Sequence, residues 1–124
     1  MAKPDPTLVA MHCKPLTKST RRLNDAQIAK FLPRAPHWFE SGGRLYRTFK
    51  YDHFRDVIAH MDAAAKIWLE ENHFGLATMD EHTADFVLCT MDVGGLTEND
   101  FIVAAKISAA QHYTYVLVPK KKKK

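Results

Sequence analysis

The run Thr90-Met91-Asp92-Val93-Gly94-Gly95-Leu96-Thr97-Glu98-Asn99-Asp100 joins a strand to a helix. Gly94-Gly95 interrupts regular structure, and Thr97 followed three residues later by Asp100 is a helix start of the capping-box kind, with Asp where Glu is usual. Beyond it, Ile102, Ala105 and Ala109 supply part of a buried helix face. Upstream, Ala84, Phe86, Leu88 and Thr90 alternate with Asp85, Val87 and Cys89, the period of a half-buried strand. The segment Asn72 to Met79 begins as a turn and becomes an antiparallel partner for that strand.

Further upstream, Phe54, Val57, Ile58, Met61, Ala65 and Trp68 recur at three- and four-residue steps, which predicts a long helix capped by Asp52. Trp38 and Phe39, Ser41-Gly42-Gly43, then Leu45, Tyr46 and Phe49 read as a β-hairpin turned at the glycines. Asn24 with Gln27 opens a short helix whose apolar face is Ile28, Phe31 and Leu32, ended by Pro33. Residues 1–22 hold three prolines and no sustained period, so an extended or loosely docked basic arm is expected there. The order helix, hairpin, helix, two strands, helix predicts an α+β domain over residues 23–111: a four-stranded antiparallel sheet with three helices packed on one face.

At 124 residues the chain has room for one such domain and one core. With 46% apolar and 26% charged residues, it has neither the composition of a disordered chain nor a long apolar span. The formal charge of +4 comes from the ends: without residues 1–22 and the five terminal lysines, 8 basic and 13 acidic groups remain, a body of −5. Such a body does not present a basic nucleic-acid-binding face. Cys13 and Cys89 lack the spacing of a metal site and give no disulfide framework, so a reducing, cytoplasmic setting is expected. Nuclear entry through the lysine run and organellar import are the weaker alternatives, the latter because Pro4, Asp5 and Pro6 sit where a transit helix would start.

Pro36-His37-Trp38, Gly42-Gly43, Leu45-x-Arg47-x-Phe49 and Tyr51-Asp52-x-Phe54 resemble the first half of the pterin-4a-carbinolamine dehydratases. The run Thr90 to Asp100 resembles that family's Thr-His-Asp-x-Gly-Gly-Leu-Thr-x-x-Asp segment in all but its histidine, and the likeness extends over about residues 23–109. The departures concern the chemistry. The family has an Asn-His-His-Pro-like turn where this chain has Asn72-His73-Phe74-Gly75, and a histidine where this chain has Met91. A register pairing Asn72 with His73 would need one extra residue before the Thr90 strand, so the ungapped register, with Phe74 in a histidine's place, is preferred.

The resemblance implies dehydration of 4a-hydroxytetrahydrobiopterin, in which a ring nitrogen loses a proton and a departing hydroxyl gains one, with no metal or cofactor. Imidazole suits both transfers, because its unperturbed pKa is near 6.5. Phe74 and Met91 can transfer no proton. The expected catalytic residues are therefore His73, Asp92 and Asp100, and the expected pterin-binding residues His73, Phe74, Met91 and Asp92. Asp100 also has a structural job in the first turn of its helix, and His73 could equally be an ordinary turn histidine. His82 is a remote candidate to replace a lost imidazole. His12-Cys13 makes poor zinc geometry; Trp38 and Trp68 could stack on a pterin, but such positions are more often core, and core is expected for Trp68.

Two readings of function stay open. One is an oligomeric pterin-binding or protein-interaction module with weakened or lost dehydratase activity. The other is an active dehydratase relying on His73. The resemblance implies a homodimer or homotetramer. The β-prone stretch Tyr113 to Val118 could add to a partner's sheet edge, and Lys120 to Lys124 could attract nucleic acid or another acidic surface.

Overall fold

Alternation along the strands determines which side of the sheet is dry. In the computed structural model, which describes residues 3–111, strands β1 (Phe39–Ser41), β2 (Arg44–Lys50), β3 (Leu76–Met79) and β4 (Thr83–Leu88) form one antiparallel sheet in the order β1-β2-β4-β3. The register sets Leu45 opposite Leu88 and Phe49 opposite Ala84. These four and Phe86 are buried, so the even positions of β4 face the core as its alternation predicts.

Four helices complete the fold: α1 (Pro6–Ala10), α2 (Asp25–Phe31), α3 (Phe54–Glu71) and α4 (Glu98–Ala109). Asn24 caps α2 in a reciprocal box, accepting from the Gln27 N–H while the Gln27 side chain accepts from the Asn24 N–H. α4 is the central helix. Phe101 to Ala105 and Ile107 are all fully buried, the mark of a helix enclosed on every side. Losing one such side chain, Phe101 to Ala, costs about 3–5 kcal/mol by analogy with other cores. The architecture is the α+β sheet-and-helix arrangement expected from the sequence.

Three local expectations are corrected. Asp52 does not cap α3; His53 occupies that position and makes no side-chain cap. The buried stripe of α3 runs through Val57, His60, Ala64 and Glu71, whereas Phe54 and Ile58 are 43% and 47% exposed. His60 fills an apolar position because both ring nitrogens are satisfied, Nδ1 with the Tyr51 hydroxyl at 2.7 Å and Nε2 with the Ile107 carbonyl at 2.8 Å. The arm is not extended throughout: Asp5 caps α1 through the Thr7 N–H and pairs with Arg34, and Leu8 is fully buried.

The strand read from Tyr113 to Val118 and the lysines at 120–124 lie outside the described residues. No described helix is long and apolar enough to cross a membrane.

Candidate functional site

α3 ends at Asn72 in the left-handed conformation, φ 52°, which asparagine tolerates better than most residues. The next N–H, that of His73, returns to the Trp68 carbonyl at 3.2 Å. This turn lays the His73 ring, 8% exposed, against the start of α4, with Nε2 2.7 Å from Asp100 Oδ1. Asp100 is completely buried. Its Oδ2 accepts from the Thr90 hydroxyl at 2.7 Å and from the Thr97 N–H at 3.0 Å, and the two threonine hydroxyls are 2.8 Å apart. One carboxylate therefore joins the turn after α3, the end of the β4 segment and the N-terminus of α4.

A buried carboxylate is costly without donors, and Asp100 has three. An ionised carboxylate only accepts, so the proton between it and the imidazole belongs on His73 Nε2, leaving Nδ1 as the basic nitrogen of the neutral ring. The carboxylate orients the imidazole, as carboxylate–histidine pairs do generally.

Beside His73 lies a cavity of about 480 Å³, walled by Asn72, His73, Glu71, Asp92 and Asn99 and, on the far side, by arm residues 13–16. Its size falls within the usual range for small-molecule pockets. Of the residues singled out from the sequence, His73 and Asp92 meet on this wall and Asp100 stands behind His73. Phe74 and Met91 are 57% and 80% exposed; each is the chain neighbour of a lining residue but does not line the cavity itself. His82 instead places Nδ1 3.1 Å from the Tyr51 carbonyl in the loop before β4. Trp38 is buried, its Nε1–H donated to Ser108 Oγ at 2.8 Å, and Trp68 meets Phe86 edge-on.

The arm's share in the site was not foreseen from the sequence. Its anchor is Glu71, whose side chain is 2% exposed. Glu71 accepts from the Cys13 N–H at 2.7 Å and pairs with His12 Nδ1 at 2.9 Å and Lys106 Nζ at 3.6 Å. Burial pushes the Glu71 carboxyl up, but the Cys13 N–H, His12 and Lys106 together outweigh it and hold the pKa below the ordinary value. A second clamp is Asn99, which accepts from the Lys14 N–H and donates to the Lys14 carbonyl, both at 2.9 Å. Burial, followed by the Glu71 charge, pushes the Cys13 thiol up to about 12, so it is no nucleophile at neutral pH. Nothing local in the sequence marks Glu71 for this role, because two of the four buried positions of α3, His60 and Glu71, are polar. Among the described residues no group of three or more His, Cys, Asp or Glu side chains could hold a metal ion.

The sequence pattern described as Pterin 4 alpha carbinolamine dehydratase matches residues 21–110. A Xylella fastidiosa (strain 9a5c) protein named for that activity is 39% identical over 107 residues, covering 83% of this chain and 90% of its own length. A Stenotrophomonas maltophilia (strain R551-3) protein of the same description is 38% identical over 104 residues, covering 82% and 90%. Among solved structures, the transcriptional coactivator/pterin dehydratase from Brucella melitensis superposes with a TM-score of 0.71 at 24% identity, covering 73% of this chain and 99% of that one. A pterin dehydratase-like RuBisCO assembly factor of the alpha-carboxysome gives 0.52 at 16% identity, covering 60% and 87%. Both structural likenesses bear on the fold.

Proposed function

Because this chain belongs to the pterin 4 alpha carbinolamine dehydratase family, we propose that the cavity beside His73 takes a pterin and that the His73–Asp100 pair supplies a weakened dehydratase activity. The observation carrying this reading is the imidazole on the cavity wall, its Nε2 committed to a fully buried carboxylate. In the reaction, Nδ1 takes the proton from ring nitrogen N5. The C4a–O bond breaks as C4a=N5 forms, and the hydroxyl leaves as water on the proton that the imidazole took from N5, so His73 ends as it began. Asp92, on the same wall, is the polar group placed to hold the pterin, while Phe74 and Met91 offer an apolar rim and transfer no proton.

A positioned acid or base typically gives roughly 10²–10⁴-fold in rate, so a single imidazole supports acceleration well short of a three-histidine site. The reading of complete loss has less support, since neither Phe74 nor Met91 fills the cavity. A role as a homo-oligomer or protein-interaction module is favoured by another observation. On the sheet face away from the core, Phe39, Tyr46, Val87 and Leu76 stand in one cross-strand row, and Phe39 and Leu76 are about 60% exposed.

The test is the turnover of chemically generated 4a-hydroxytetrahydrobiopterin by the full chain and by its Phe74→His/Met91→His variant, each against the spontaneous rate. The expected result is modest acceleration by the native chain and a larger one by the variant. No acceleration by either, with no pterin bound, would overturn the proposal.

A further inference from the structure

A second cavity, of about 860 Å³, adjoins the first: both include Leu16 and Asp92 in their walls. Its lining brings together Lys18, Arg21 and Arg22 with the hydroxyls of Thr17 and Thr20, against the single carboxylate of Asp92. Among the described residues none of these three cations is in an ion pair, whereas Lys14, on the same arm, pairs with Glu98. Arg21 Nη1 donates to the Lys18 and Thr20 carbonyls, which holds the guanidinium while leaving its other nitrogens unengaged.

The segment carrying these charges is fixed at both ends. Upstream, Glu71 and Asn99 hold residues 13 and 14. Downstream, the Leu23 N–H donates to the Leu96 carbonyl at 2.7 Å. Arg22 lies so close over Gly95 that an added Cβ there would come within 3.0 Å of Arg22 Cδ. Between these anchors Thr17 to Thr20 form a turn, with the Thr17 N–H donated to Thr20 Oγ1 and the Thr20 N–H to the Thr17 carbonyl. The cations are therefore placed beside the reaction cavity by the fold, on a chain whose body is otherwise acidic.

We propose that this second cavity is a phosphate subsite of the first, so that the preferred ligand is a pterin bearing a phosphate ester on its side chain. The proposal rests on the pterin reading of the His73 cavity. Guanidinium and ammonium groups together with hydroxyls are the donor set for phosphate, and arginine matches its oxygens bidentately.

The test titrates the full chain, by quenching of pterin fluorescence, with 6-hydroxymethylpterin, with its phosphate monoester, and with inorganic phosphate as competitor. The ester should bind about tenfold or more tightly than its parent, and the gain should shrink as salt is raised. The Lys18→Gln/Arg21→Gln variant should lose the gain and keep the parent's affinity. Both side chains are exposed, and an unchanged urea midpoint would confirm that the variant folds. Arg21→Lys, which keeps the charge but not the two-pronged donor, should retain only part of the gain. A parent pterin that binds while its ester gains nothing would overturn the subsite alone, whether or not inorganic phosphate binds. Binding of neither pterin would overturn the pterin reading and the subsite with it.

Discussion

Asp100 and Glu71 are two buried carboxylates near one cavity, and they hold different things. Asp100 joins three parts of the domain and turns the His73 ring toward the cavity. Glu71 joins the domain to its arm through the Cys13 N–H and the exposed His12, with Lys106 of α4 beside it. The first corner ties the candidate site to the fold. The second adds a wall to the site and can be weakened with the domain intact. Burial alone therefore does not distinguish the two corners; their partners do.

Removing Asp100 should have the largest effect. Asp100→Ala strands His73 Nε2 and the Thr97 N–H and leaves the Thr90 hydroxyl only Thr97 Oγ1 as a partner, and breaking a buried polar network of this kind typically costs about 3–5 kcal/mol. Urea unfolding measures it, and a cost no larger than that of Glu71→Gln would erase the contrast between the two corners. Glu71→Gln keeps the shape and should cost about 1–3 kcal/mol, with faster amide exchange at residues 12–16 and unchanged exchange in the core of α4.

The Glu71 pKa sharpens the same contrast. It lies below the ordinary 4.5 in the folded chain, so the stabilisation is complete above about pH 4.5 and is lost as pH falls through the lowered value. The acid limb of stability should flatten in Glu71→Gln. The smallest effect belongs to His12→Ala: the ring is 81% exposed, and the change should stay within about 0.5 kcal/mol of the native chain in the same unfolding assay.

The Thr97–Asp100 start of α4 was legible in the sequence because its signal is local: Asp100 stands three residues after Thr97, beyond a glycine pair, and that spacing belongs to a helix start, whereas the meeting of Asp100 with His73, 27 residues away, was not legible. The strands were legible for a like reason, the two-residue period of Ala84, Phe86 and Leu88. The Glu71 corner was not, because its arm partners Cys13 and His12 are 58 and 59 residues away and a glutamate near the end of a helix ordinarily reads as solvated. The same rule conceals the stripe of α3: His60 and Glu71 are polar yet buried, while the apolar Phe54 and Ile58 are exposed. The arm's prolines conceal that Asp5 caps a helical turn and that Leu8 anchors it.

Turnover of 4a-hydroxytetrahydrobiopterin by the native chain and by His73→Ala, each compared with the spontaneous rate, tests the central claim most directly. The account predicts acceleration by the native chain that falls to the spontaneous rate in the variant while pterin still binds. Equal acceleration by both would contradict it and place the proton transfer on some other group.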